Sequence, residues 1–181
     1  MKFGATRING ALLIELEPSH DERGFFARTF CETEFAAHGL ATGYPQCNVS
    51  YSRTRFTLRG LHYAAAPVRE QKLVRCTRGS IYDVILDLRA DSPTCFQWYS
   101  IELTARSYRS LYIPAGLAHG FLTLEDDTEV FYQMGASYDR EAARTVRWDD
   151  PRFGVVWPHQ PALMSDRDRS VPDFTGGPLT W

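Results

Sequence analysis

The chain has 181 residues, 20 Lys and Arg against 22 Asp and Glu, a formal net charge of −2 and a pI near 6.2. That length suits one domain with a sizeable apolar core, and the charge lacks the basic excess that duplex nucleic acid requires. No run approaches the roughly 20 apolar residues of a membrane-spanning helix, and Met1-Lys2-Phe3-Gly4-Ala5-Thr6-Arg7 lacks the apolar stretch of a signal peptide, so the expected location is the cytosol.

In chain order, the first predicted element is a short peripheral helix over 32–38, with Thr29 or Cys31 ahead of it and Gly39 as its stop. Short β-branched and aromatic runs then predict strands over 57–63, 71–77, 80–88, 97–103, 110–113, 121–124 and 128–134. Turn signals separate them at Arg78-Gly79, Ala90-Asp91-Ser92-Pro93 and Glu125-Asp126-Asp127. Strands this closely spaced predict a mainly β fold: a sandwich, barrel or jelly roll. The Pro-rich stretch from Trp157 to Trp181 reads as an extension wrapped on that body. Cys31, Cys47, Cys76 and Cys95 are dispersed with no CxxC spacing, which points to reduced thiols and not to a zinc site or a disulfide framework.

The densest polar string is Leu58-Arg59-Gly60-Leu61-His62-Tyr63. Strand alternation sends Arg59 and Leu61 to one face and Leu58, Gly60 and His62 to the other. A lone strand histidine is more often a satisfied packing residue than a catalyst. A second histidine ends the bend Pro114-Ala115-Gly116-Leu117-Ala118-His119 and opens the next strand. This string resembles the second half-motif of the cupin fold. Metal-binding cupins also need an H-x-H pair, because a transition metal takes three or four convergent ligands. Here Tyr63 and Ala64 follow His62, so the pocket reads as cupin-shaped and used without metal. Arg75, Asp87 and Arg89 read as solvated charges of an edge strand; Lys72 and Asp83 stay open as cavity residues, and Tyr132 as a packed strand tyrosine.

Taken in order, Asp21 through Phe26, Gln46 with Asn48 and Ser50, Leu58 through Tyr63, Gln71 through Arg75, Pro114 through Phe121, Trp148 through Pro151 and Met164 through Asp168 resemble the dTDP-4-dehydrorhamnose 3,5-epimerase family. The resemblance implies a cupin-type jelly roll and a cofactor-independent isomerase that inverts C3 and C5 of a nucleotide-linked 4-keto-6-deoxyhexose. It implies His62 as base, Asp168 as its orienting partner with Asp166 as competitor, Lys72 at the developing C4 oxyanion, His119 as a second donor, and Tyr132 as the acid on the opposite face. Arg23 and Arg59 are implied for the diphosphate, Gln46 and Asn48 for nucleotide or sugar, Arg167 as a further substrate-binding residue, and Phe26 and Tyr138 for stacking on the base or lining the cleft. A homodimer with exchanged N-terminal strands is implied as well. The chain departs from the family pattern at Arg28 and Ala143, where glutamates are common, and at Ala64, where glutamine is; Arg28 reads equally as an extra phosphate ligand and as a surface charge. Against the double epimerase stand a single-site C3 or C5 epimerase, a metal-dependent cupin oxygenase and a non-catalytic sugar-nucleotide binding module.

Overall fold

The computed structural model describes residues 1–180; the last residue of the predicted extension, Trp181, lies outside them. In chain order the elements are β1 (Lys2–Ala5), β2 (Leu12–Glu15), β3 (Ser19–Asp21), β4 (Gly24–Phe26), α1 (Glu32–Ala37), β5 (Gln46–Ser52), β6 (Leu58–Ala64), β7 (Lys72–Arg78) and β8 (Ser80–Asp87). They continue with β9 (Trp98–Thr104), a 3-10 turn (Ala105–Ser107), β10 (Arg109–Ile113), β11 (Leu117–Thr123), β12 (Thr128–Met134), β13 (Ala143–Thr145) and α2 (Asp166–Arg169). One antiparallel sheet runs β1-β2-β10-β7-β12-β5, a second runs β13-β6-β11-β8-β9, and β3 pairs only with β4. From β5 to β13 consecutive strands alternate between the two sheets except at the β8–β9 hairpin, as in the jelly roll expected of a mainly β chain.

Period-two alternation fixes which side chains meet between the sheets. Val74 and Cys76 of β7, Leu111 and Ile113 of β10 and Val130 of β12 pack against Ile81 and Ile85 of β8, Leu103 of β9 and Leu117 and Phe121 of β11. The outer face of the first sheet is covered by α1, whose Phe35 packs with Ile14, Leu73 and Tyr112. The outer face of the second, with Val84, Leu86 and Ala118, is covered by the chain after β13 through Val146, Phe153, Phe174 and Leu179. Both faces of β8 are thereby buried, which accounts for its nearly continuous apolar run.

Three sequence expectations change. The strand predicted over 121–124, opening at His119, is longer and starts at Leu117, because Gly116, at φ 87°, ends the bend there. Arg75, Asp87 and Arg89 are not solvated edge charges: β7 and β8 are interior strands of their sheets. The Asp87 carboxylate is fully buried and takes hydrogen bonds from Arg89, Ser92 and Thr94, clasping the turn that follows β8. Strict alternation also fails in β6. Gly60 has φ 129°, and pairing with β11 shifts register between His119 and Phe121, so Arg59 and His62 come to the same cavity. A Cβ at Gly60 would lie 2.5 Å from the Gly120 Cα, so only glycine permits this crossing. The edge strands β1, β5 and β13, the short β2 between β1 and β10, and the β3–β4 hairpin are elements the sequence patterning did not reveal.

Candidate active site

At one end of the sandwich the sheets enclose a cavity of about 790 Å³. Its walls follow from alternation: the inward positions of β5 supply Gln46, Asn48 and Ser50, β7 supplies Lys72, β11 supplies His119 and Phe121, and β12 supplies Tyr132 and Met134. Outward neighbours on β5, such as Val49 and Tyr51, are exposed. His62 and His119 face each other across the β6–β11 pair, and Tyr132 lies on the opposing sheet between Asn48 and Val74.

Each histidine has its own carboxylate. His62 Nε2 lies 2.7 Å from Asp168 Oδ1; the His62 side chain is 43% exposed and that of Asp168 only 4%. Asp168 reaches this position because Leu58 N–H donates to the Leu163 carbonyl at 2.8 Å, pinning the C-terminal segment to β6. Ser165 then caps α2 by accepting from Asp168 N–H at 3.1 Å. Burial would raise the Asp168 pKa, but its bonds from His62 and Ser165 and the Gly60 backbone outweigh that and hold it below the usual aspartate range. A carboxylate only accepts, so the shared proton sits on Nε2 and Nδ1 is left as the basic nitrogen. Asp166, the competing partner, is exposed.

His119 Nε2 lies 3.0 Å from Asp83 Oδ2, and here both side chains are buried. The second oxygen, Asp83 Oδ1, is buried without a hydrogen-bond partner. Lys72 Nζ is 2.7 Å from Glu70 Oε1, and both side chains are largely buried. Burial raises the Tyr132 pKa, with Arg59 pulling it down and Glu70 adding to the rise, so the phenol stays protonated beyond the ordinary tyrosine range.

The structure thus brings together His62, Lys72, Tyr132, Asp168, His119, Arg59, Gln46, Asn48, Tyr138 and Arg167, with Ala64 and Ala143 also in the wall. It does not bring Arg23, Phe26 or Arg28 to that wall. Arg23 and Phe26 belong to the β3–β4 hairpin and are exposed, and Arg23 is paired with Asp21. Arg28 is exposed and lies 3.4 Å from Glu34, as a surface charge. Sequence reasoning missed Glu70, which precedes β7 where no strand period applies, and left Asp83 open, although its period with Ile81 and Ile85 marks it as inward. Among the described residues, no group of three His, Cys, Asp or Glu side chains converges as a metal site, and no helix is long and apolar enough to cross a membrane.

A jelly roll whose cavity gathers an oriented imidazole, an ammonium and a phenol defines a cupin-shaped acid–base isomerase. The model of the dTDP-4-dehydrorhamnose 3,5-epimerase family matches residues 5–176. A dTDP-4-dehydrorhamnose 3,5-epimerase of Sinorhizobium fredii is 39% identical over 100% of this chain and 93% of its own length. The crystal structure of the Bacillus anthracis enzyme of that name, with TDP and PPi bound, superposes with a TM-score of 0.92 at 38% identity, covering 96% of this chain and 99% of that one. A 3'-monoepimerase from Streptomyces bikiniensis, in complex with dTDP-quinovose, superposes with a TM-score of 0.86 at 34% identity, covering 94% and 86%. The chain belongs to the dTDP-4-dehydrorhamnose 3,5-epimerase family.

Proposed function

We propose that this chain inverts C3 and C5 of dTDP-4-dehydro-6-deoxy-D-glucose, yielding the 4-keto sugar that precedes L-rhamnose or a related deoxysugar. The observation that carries the reading is the opposition of His62, on the second sheet, to Tyr132, on the first, across one cavity that also holds the Lys72 ammonium. Protons on carbons beside a ketone are the ones such a base can remove, because the electron pair left behind moves onto the carbonyl oxygen as an enolate.

In each inversion His62 Nδ1 takes the C–H proton and becomes imidazolium, which the Asp168 carboxylate stabilises. Charge grows on the C4 oxygen, where the Lys72 ammonium donates hydrogen bonds that strengthen only as the enolate forms; the Nε2–H of His119 is committed to Asp83, so that ring lines the site and is not a second donor. Tyr132 returns a proton to the opposite face of the same carbon, and exchange with solvent resets phenolate and imidazolium. Arg59 and Arg167 are cations suited to the diphosphate, Gln46 and Asn48 supply amides, and Tyr138, 57% exposed at the cavity mouth, offers a ring face to the base.

The exposed hairpin fits a homodimer in which Arg23 and Phe26 reach the partner's cavity: Phe26 is 75% exposed, and Arg23 is held out in solvent beside Asp21 of the same hairpin. The chain then acts as one jelly-roll unit in the cytoplasm, with its C-terminal extension completing the site through Asp168.

A single-site epimerase is the second reading, favoured by the likeness to the 3'-monoepimerase. Incubating the chain with dTDP-4-dehydro-6-deoxy-D-glucose in deuterated water and reading each carbon by NMR separates the two. Double epimerisation requires deuterium at both C3 and C5 of inverted product; label at one carbon alone selects the single-site reading, and label at neither rejects both.

A further inference from the structure

Glu70 has no part in the chemistry described above, yet its carboxylate stands inside the catalytic cavity, 11% exposed and 2.7 Å from Lys72 Nζ. An anion beside a forming enolate opposes that enolate, so its presence calls for a compensating task. The Lys72 ammonium carries three donors on a flexible stem. Val74 and Cys76, the next inward residues of β7, are buried and apolar and offer the ammonium no polar contact. Anchoring one of its donors restricts where the other two can point.

We infer that Glu70 is a positioning residue for the epimerisation, aiming the Lys72 ammonium at the substrate oxygen and setting the charge that faces the Tyr132 phenol. The inference rests on the reaction proposed above. The cavity that Tyr132 lines also presents Arg59, His62 and Tyr63 from β6, Lys72 from β7, His119 from β11, Tyr138 and Asp139 ahead of β13, Arg144 from β13 and Arg167 and Asp168 from α2, while the neighbouring β5 adds the uncharged Gln46, Asn48 and Ser50. Burial does most to raise the phenol's pKa, Arg59 opposes the rise and Glu70 supports it. Removing the Glu70 charge therefore lets Tyr132 ionise at lower pH, and a reaction that needs the protonated phenol fails earlier on the alkaline side.

The test compares Glu70→Gln, Glu70→Asp and the unaltered chain by solvent-deuterium exchange and steady-state kinetics across pH. Glu70→Gln should lose about 10- to 100-fold in kcat with KM within about threefold, as expected when a group in the site is misaimed, and its alkaline limb should move to lower pH. Glu70→Asp, which keeps the charge, should retain the wild-type limb even where its shorter reach lowers kcat. Unchanged kcat and an unmoved limb in Glu70→Gln overturn the inference, as does a loss confined to KM. If Glu70→Gln does not fold, a limb displaced in Glu70→Asp overturns it and a wild-type limb with lowered kcat supports it. Absence of exchange in the unaltered chain instead sinks the proposed reaction itself.

Discussion

The two histidine–aspartate pairs of the cavity use the same residue types in opposite surroundings. His62 is partly open to solvent and its carboxylate arrives from α2, near the end of the chain; His119 is buried and its carboxylate comes from the adjacent strand β8. An imidazole that must accept a proton needs access and a partner that stabilises its charged form, which the first pair has. The second pair is buried at the cavity wall with the Nε2–H of His119 committed to Asp83, and has the character of a fixed structural contact. Exposure and the origin of the partner, not residue type, therefore divide the work.

That division predicts opposite balances between rate and stability. The largest effect is expected from His62→Ala, which should lower turnover by about 10⁴-fold, the upper range for loss of a general base, while dTDP affinity measured by calorimetry stays within a few-fold. Asp168→Asn should follow, with about 10²- to 10³-fold lower kcat, because the amide no longer enforces the tautomer that leaves Nδ1 basic; its loss of stability should be smaller than that of Asp83→Ala, since the partner imidazole left behind is partly solvated. Asp83→Ala should reverse the pattern. It strands His119 inside the sheet and should cost about 3 kcal/mol by denaturant unfolding. A stability loss at Asp168 as large as that at Asp83 would break the comparison.

Acid stability sharpens it further. The folded Asp168 pKa lies below its unfolded value of about 3.9, so the unfolded chain binds protons first as pH falls. The contribution of Asp168 to stability is complete above about pH 4 and is lost as pH drops through the folded pKa. Unfolding titrations of Asp168→Asn should show a shallower decline below about pH 4 than the wild type. The smallest effect is expected at Arg28→Ala. An exposed pair with Glu34 is worth about 0–1 kcal/mol, and KM should stay within about threefold.

How far the sequence revealed this site depends on how each residue is placed. Lys72, His119 and Tyr132 sit on long strands whose alternation declares an inward face, and those strands were legible within a residue or two except β11, which begins at Leu117. The joint placement of Arg59 and His62 was not legible. It depends on the left-handed Gly60 and a register shift, which strict alternation cannot express. The His62–Asp168 pairing is separated by 106 positions, beyond the reach of residue patterning; the family resemblance implied Asp168 with Asp166 as competitor, and the cap at Ser165 and the exposure of Asp166 distinguish them. The short strands β1 to β4 carry too few residues for a period to emerge, so the hairpin was not foreseen and Arg23 and Phe26 were singled out only through the family resemblance.

The most direct test of opposed base and acid is Tyr132→Phe assayed in deuterated water with carbon-resolved NMR. With His62 and Lys72 intact, deuterium should still enter C3 or C5 while configuration is retained, because the proton can return only from the face it left. Inverted product at the wild-type rate would contradict the account.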